Sequence, residues 1–278
     1  MAKLLVKSKT PKVYKNKKLN NANFGDFTLN DYQVFLHLVT QLGKVNELGK
    51  YTQPGALERE QTLTAQDFAN NFGLEVKHAY GLIKKAGTKL MKSFITLEKP
   101  ELFQTWQIGI CSIAKYNHKE GSITVKFTEE IMPYLAQVKQ KFVLYNLKEI
   151  ANFGSLYSTR LYELIQEFKD TGYVLKSIDQ LRNIFAVDKS YKLYNDFKKY
   201  TFAHAVEEIN SQYELNLKFT EIKTGRKVTA VRFDFKPTFT RKAINPRTGK
   251  EVNQYINPKK KIKTLSPENP DQQELPLK

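Results

Sequence analysis

Apolar residues along this chain fall into blocks of helical and of strand periodicity, and the same order of blocks occurs twice. The first copy opens with a T-x-x-D capping signal at Thr28, followed by apolar residues at the spacing of an amphipathic helix. A second capping signal at Thr64 predicts a helix that ends near Gly73, and a third helix is predicted from Val76 to about Met91. Because only a short turn separates the last two helices, the pattern predicts a helix-turn-helix.

A β-hairpin is predicted directly after this helix-turn-helix. Two runs of alternating apolar and polar residues, 106–116 and 122–127, are joined by a turn that contains Gly121. A hairpin in this position is typical of the wing of a winged-helix domain. A short helix, capped at Thr128, is expected to follow it.

The second copy repeats this order. A helix is predicted over 157–168, a capping box at Ser177 begins the next helix, and a third helix is predicted over 191–210 with Leu193 facing inward. A second hairpin is predicted from the runs 213–222 and 228–235. Five residues of the second copy lie 113 positions after similar residues of the first: Ser177, Gln180, Asn183, Phe185 and Val187 follow Thr64, Asp67, Asn70, Phe72 and Leu74.

This pattern predicts an α+β protein with tandem, pseudo-duplicated winged-helix domains and β-hairpin wings. A chain of 278 residues is long enough for two domains with tails. We expect a basic N-terminal arm at 1–24, a first winged-helix domain at 25–139 and a second at 140–238. The remainder, 239–278, is basic and then Pro-rich, and it is predicted to be disordered.

The net charge indicates a polyanionic partner. Lys and Arg number 45 against 28 Asp and Glu, which gives a net charge of +17. An excess of positive charge favours nucleic acid as the partner. Neither basic terminal segment has an amphipathic apolar face, so a membrane surface is not an expected partner. The chain also lacks a secretory signal and a long apolar span, and we therefore expect it in the cytoplasm.

The residues that we expect to contact DNA lie on the polar faces of the third helices and at the second hairpin. In the second copy they are Tyr191, Lys192, Asn195, Lys198 and Lys199 on the helix, and Arg226 and Lys227 at the hairpin turn. Arg160 and Ser158 near a helix start are further candidates for a phosphate contact, with a structural ion pair as the alternative role for Arg160. In the first copy the parallel candidates are Lys77, His78, Tyr80, Lys84 and Lys85. Lys and Asn are suitable residue types because Lys pairs with guanine or phosphate and Asn with adenine.

Enzyme signals are weak, and we expect no catalytic residue, metal or cofactor. The segment from Gly43 to Tyr51 resembles a phosphate loop but has the wrong spacing and Tyr where Ser or Thr must bind magnesium. The four histidines are far apart in sequence, which disfavours a metal-dependent nicking site. The single cysteine, Cys111, lies in an apolar run and is interpreted as core filling.

These residues, taken together, resemble the replication initiator (Rep) proteins of iteron-carrying, theta-replicating plasmids over about Leu29 to Phe235. The most specific segments are LYSTRLYELI at 156–165, IDQLRNIF at 178–185, YNDFKK at 194–199, AVEEIN at 205–210 and GRKV at 225–228. The resemblance implies that the second domain binds repeated double-stranded DNA sites at an origin. It further implies that the first domain adds DNA contacts and a dimer interface, for which the strands around Ile108 to Ile113 are suitable.

The resemblance also implies how such a chain acts. A monomer would open the origin and recruit the host helicase or its loader, and a dimer would repress the chain's own promoter. Three alternatives stay open: a winged-helix transcriptional regulator, a rolling-circle nicking enzyme and a basic scaffold without sequence preference.

Overall fold

A computed structural model of the chain describes residues 11–42, 44–45, 51–52, 59–136, 142–187, 190–236, 240–244 and 251–255. The helices are α1 (Leu29–Thr40), α2 (Ala65–Phe72), α3 (Val76–Lys92), α4 (Met132–Leu135), α5 (Leu156–Glu167), α6 (Ile178–Ile184), α7 (Tyr194–Lys198) and α8 (His204–Gln212). The strands are β1 (Lys12–Asn16), β2 (Lys44–Val45), β3 (Tyr51–Thr52), β4 (Glu60–Thr64), β5 (Phe94–Lys99), β6 (Gln104–Gly109), β7 (Cys111–Asn117), β8 (Ser122–Phe127), β9 (Phe142–Asn146), β10 (Tyr173–Ser177), β11 (Lys218–Thr224), β12 (Lys227–Asp234), β13 (Thr240–Ile244) and β14 (Glu251–Tyr255).

The first copy contains the three predicted helices, packed on a sheet with the order β4-β8-β7. Thr28 forms a full capping box with Asp31 at the start of α1, and the side chain of Thr64 accepts the backbone N–H of Asp67 at the start of α2. Gly73 ends α2 in a left-handed conformation (φ 66°), which suits glycine because it has no Cβ. The predicted helix-turn-helix of the first copy is therefore confirmed.

The predicted strand at 106–116 is two strands, and that part of the prediction is wrong. β7 pairs with β8 to form the expected wing, whereas β6 pairs with β5 in a hairpin that the sequence pattern did not indicate. The chain changes partner at Ile110, which lies between the strands and is fully buried. Because Ile110 is buried, the alternation of apolar and polar residues continues from β6 into β7, although these two strands belong to different sheets. Cys111 is also buried, as predicted, and burial raises the pKa of its thiol to about 12.

The second copy has the same plan, with α5, α6 and a long third helix on a sheet with the order β10-β12-β11. The capping box at Ser177 is present. The third helix passes from α7 through a π-helical segment at Lys199–Ala203 into α8, and it begins at Tyr194 rather than at 191. Leu193 is 68% exposed, so the prediction that it faces inward is wrong.

Residues 12–24 are not a free arm. β1 pairs with β9, and the Lys15 side chain is fully buried, which rules out a phosphate contact for it in this fold. Part of the tail predicted to be disordered is also ordered, because β13 and β14 form an antiparallel pair. The Gly-rich, polar segment from Gly43 to Glu60 is predicted from its sequence to be a long loop, and most of it lies outside the described residues, as does the Pro-rich stretch at 264–278.

Within the described ranges, no helix combines the length and the apolar character that crossing a bilayer requires.

Candidate nucleic-acid interface

The third helix of the second copy and the turn directly before it present several predicted DNA-binding side chains to solvent. Lys192, Asn195 and Lys199 are exposed, and Tyr191 is half-buried. Lys198 is partly exposed and forms an ion pair with Glu221, with 2.8 Å between its Nζ and Oε1. This contact holds the pKa of the Glu221 carboxyl below its usual range.

Glu221 connects this helix to the wing. It lies on β11 and also accepts a hydrogen bond of 3.0 Å from the hydroxyl of Tyr194. Arg226 and Lys227 are exposed at the turn between β11 and β12, where Gly225 has a φ of 60°. Glu221 thus links the predicted helix residues to β11, the strand that leads to the predicted wing residues. We call these predicted positions the second-copy basic face (Lys192, Asn195, Lys198, Lys199, Arg226 and Lys227).

Arg182 on α6 fixes the turn in front of this helix, a role that sequence reasoning missed. Its guanidinium donates to the backbone carbonyls of Ser190 (3.1 Å) and Tyr191 (2.9 Å) and lies 4.5 Å from the centre of the Phe197 ring. Tyr191 has a positive φ of 50°, and its ring stacks on that of Tyr200. Arg182 therefore holds a strained turn in one conformation before any ligand arrives. An Arg on the polar side of α6 was the available signal, but spacing alone does not show that it reaches the turn.

The first copy presents a similar but differently built face. Lys77, His78, Lys84 and Lys85 are exposed on α3. Tyr80 is half-buried, and its hydroxyl lies 2.8 Å from Nδ1 of His118 at the wing turn. The five predicted residues of this copy thus share one helix, and one of them contacts the wing.

Arg160 and Ser158 do not belong to either face, and the prediction that they bind phosphate is wrong. Ser158 is fully buried, and Arg160 is only 2% exposed. The guanidinium of Arg160 donates to the carbonyls of Asn20 and Ala22, both at 2.8 Å, so its donors are satisfied inside the protein. The alternative role for Arg160, a structural ion pair, is the one observed.

Glu163 is the anion of this buried cluster. Its carboxylate contacts Arg160 at 3.1 Å and Lys15 at 2.7 Å, and it accepts hydrogen bonds of 2.6 Å from Tyr32 and Tyr145. Burial alone would raise the pKa of Glu163, but Lys15 and Arg160 hold it below its usual range. The cluster joins α1, α5, β1 and β9, so the ion pairs serve the packing of the two copies rather than DNA.

Asn21, in the segment before α1, also contacts the second copy. Asn183 on α6 donates to the backbone carbonyl of Asn21 (3.0 Å), and Lys176 on β10 donates to its side chain (2.8 Å). The segment that precedes α1 is therefore joined to the second copy by these hydrogen bonds as well as by those of Arg160.

The described part of the chain includes all four histidines and the single cysteine. No group of three or more His, Cys, Asp or Glu side chains is placed there to hold a metal ion. The exposed side chains of the two faces offer positive charge and hydrogen-bond donors, which suits a polyanion.

Comparison with known proteins agrees with this arrangement. The family model described as "Initiator Replication protein, WH1" matches residues 12–166, and the model "Initiator Rep protein, WH2" matches residues 177–235. Two winged-helix domains in tandem, the predicted fold, are confirmed by these matches.

Individual relatives have similar descriptions. A "Replication initiation protein" of Escherichia coli is 26% identical over 218 residues, covering 75% of this chain, which spans 64% of that relative's length. The "PI protein" of Escherichia coli is 27% identical over 207 residues, which is 62% of this chain and 68% of the relative. A solved structure of the Pi initiator protein in complex with iteron DNA superposes with a TM-score of 0.64 at 25% identity, covering 82% of this chain and 97% of that one. With both family domains present in order over most of its length, this chain belongs to the initiator replication protein family.

Proposed function

We propose that this chain initiates plasmid replication by binding repeated double-stranded DNA sites at an origin. The observation that carries the proposal is the second-copy basic face, in which a recognition helix and a wing are joined through Glu221. In a helix-turn-helix the second of its two helices enters the major groove, and a basic wing beside it adds phosphate contacts. The similarity to the Pi initiator, solved in complex with iteron DNA, supports repeated sites as the target.

Binding would be followed by opening of the origin in the cytoplasm and recruitment of the host helicase or its loader. These steps need binding energy and DNA deformation, and the chain requires neither nucleotide hydrolysis nor strand cleavage for them. In this proposal the exposed faces of α3 and α7 contact the duplex at two separate places, and bending DNA requires more than one such contact.

Permanganate reactivity of a supercoiled plasmid tests this function against the transcriptional-regulator alternative. The plasmid carries the DNA that flanks the chain's own reading frame. We expect a cluster of thymines beside the bound repeats to become reactive when the protein is added. Occupied repeats without any reactive thymine would contradict initiation and favour a regulator, and a covalent adduct that needs a divalent metal would instead indicate a nicking enzyme.

We also propose that the β5–β6 hairpin mediates self-association. Phe103 at its tip is 99% exposed, and Leu102, Phe94 and Trp106 are 40–50% exposed. Of the strand residues expected to form this interface, around Ile108 to Ile113, the apolar side chains of Ile108, Ile110 and Cys111 are buried within the copy, whereas Ile113 is 37% exposed. An exposed apolar cluster of this kind is typical of a protein interface.

The proposed partner is a second copy of the chain, because the family resemblance implies a dimer with its interface in the first copy; acidic Glu98 and Glu101 on the same hairpin disfavour a nucleic acid. Sedimentation of the Phe103→Ser variant tests this. We expect its dimer dissociation constant to rise at least tenfold, while Leu193→Ser, an exposed apolar position in the second copy, leaves it unchanged. An unaltered dimer in Phe103→Ser would contradict the assignment.

A further inference from the structure

Leu193 is an exposed apolar residue in the middle of the second-copy basic face. It is 68% exposed, whereas Phe197 and Phe202, in the helix that begins directly after it, are fully buried. Lys192 precedes it and exposed Asn195 follows two residues later. No packing role within the described part of the chain accounts for a leucine at this position.

The backbone of Leu193 is held in place from both sides. Its carbonyl accepts the N–H of Phe197 at 3.1 Å as the first hydrogen bond of the helix. On the other side, Arg182 binds the carbonyls of Ser190 and Tyr191. The leucine side chain therefore projects from a fixed position, so presenting it to a ligand costs little ordering entropy.

Residues at the start of a recognition helix meet base edges in the major groove. The donors and acceptors of that groove suit Lys192 and Asn195, and the one apolar group that it displays is the 5-methyl of thymine. The cationic neighbours of Leu193 favour DNA over an apolar protein surface as its partner. We propose that Leu193 contacts the methyl group of a thymine in the recognised site and is a specificity-determining residue; this rests on the proposed function.

Replacing single thymines by deoxyuridine tests the contact, because it removes only the methyl group. The probe is a duplex that the full-length chain selects from a random-sequence pool at about 0.15 M salt. We expect one thymine at which the substitution lowers the affinity of the unmodified protein about fourfold, the value of burying one such group. Leu193→Ala should bind the thymine duplex about fourfold more weakly and show no further loss with deoxyuridine at that position.

Met91→Ala is the matched control, since Met91 is a 39% exposed apolar residue near the end of α3 that belongs to neither the second-copy basic face nor the β5–β6 hairpin. It should retain the full deoxyuridine penalty. A penalty of the same size in Leu193→Ala, or no penalty at any thymine in the unmodified protein, overturns the thymine contact while leaving origin binding intact. If the pool yields no duplex that outcompetes shuffled DNA, base-specific recognition itself fails, and the inference fails with it.

Discussion

The two copies connect their recognition helices to their wings with different chemistry. In the first copy the contacts are hydrogen bonds of hydroxyl groups: Tyr80 meets His118 at 2.8 Å, and Thr88 meets Tyr116 at 2.9 Å. In the second copy Glu221 forms an ion pair with Lys198 and also accepts a hydrogen bond from Tyr194. The recognition helices differ as well, because α3 is a regular helix of 17 residues whereas the second one contains a π-helical segment.

These differences support our proposal that the two copies serve different tasks. π-Helical segments often accompany functional sites, and the second copy adds the Arg182 contact that fixes the start of its helix. The first copy instead exposes the apolar β5–β6 hairpin. Base reading therefore suits the second copy, and self-association with general DNA contacts suits the first.

The greatest change is expected at the cluster that joins the copies. Arg160→Met leaves the carboxylate of Glu163 buried with one cation fewer, and we expect it to lower the free energy of unfolding by about 3–5 kcal/mol. Urea unfolding followed both by the single tryptophan, Trp106 in the first copy, and by circular dichroism measures this loss. Arg226→Met, an exposed position of the wing, should change the stability little. A loss below about 1 kcal/mol would mean that the copies do not depend on the cluster.

Lowering the pH should separate the stabilities of the copies. His37 in α1 is the one buried histidine among the four, packed beside Phe68, and burial lowers its pKa to about 4. The unfolded chain binds a proton at this histidine near pH 6.5, whereas the folded chain binds it only near pH 4. The contribution of neutral His37 to the free energy of unfolding is therefore fully present above pH 6.5 and is lost as the pH falls towards 4. We expect a loss of about 3 kcal/mol across this window, seen by Trp106 fluorescence.

His37→Leu should flatten this dependence, and His204→Leu, at an exposed histidine of the second copy, should not. Equal pH profiles for the His37 variant and the unmodified protein would show that the buried ring does not control the acid sensitivity of the first copy.

A smaller change is expected when a base-reading residue of the second copy is removed. Asn195→Ala should weaken binding to a selected duplex by about 1–3 kcal/mol and leave binding to shuffled duplexes nearly unchanged. Lys84→Ala in the first copy should weaken binding to the selected and to the shuffled duplexes equally, because a phosphate contact carries no base information. This loss should be smaller than the loss that Asn195→Ala causes on the selected duplex. Fluorescence anisotropy measures both variants. Equal losses of Asn195→Ala on the two duplexes would remove the proposed distinction between the copies.

The smallest change in DNA binding is expected when the N-terminal lysines are removed. Deleting residues 1–10 removes Lys3, Lys7 and Lys9 and spares the segment that folds into β1. The plot of log affinity against log salt should become shallower by about 0.9 for each phosphate that these lysines neutralise in the intact chain. An unchanged slope would show that they do not touch the DNA backbone.

Most of the fold could be predicted from the sequence because the helices begin with strong local signals. Thr28, Thr64 and Ser177 each cap a helix as expected, and such caps depend on residues only three positions apart. The β5–β6 hairpin was missed, since the change of strand partner at Ile110 depends on tertiary burial and leaves the alternation intact.

The candidate site was predicted less completely than the fold, because it too depends on tertiary contacts that the sequence pattern does not show. Exposed residues such as Asn195 and Lys199 follow from the periodicity of one helix. The burial of Arg160 and Lys15 depends on contacts across more than 100 residues of sequence, as in the bond from Arg160 to the carbonyl of Asn20, and periodicity does not contain this information. Leu193 was placed inside because its helix was expected to begin three residues too early.

The affinity of this protein for repeated DNA decides whether it reads sequence at an origin. Fluorescence anisotropy at about 0.15 M salt would compare duplexes from the DNA flanking its reading frame with shuffled duplexes of equal length. We predict that a directly repeated site binds roughly 10³-fold more tightly or better. Equal affinity for all duplexes would rule out origin recognition by this chain and leave a basic scaffold without sequence preference as the better description.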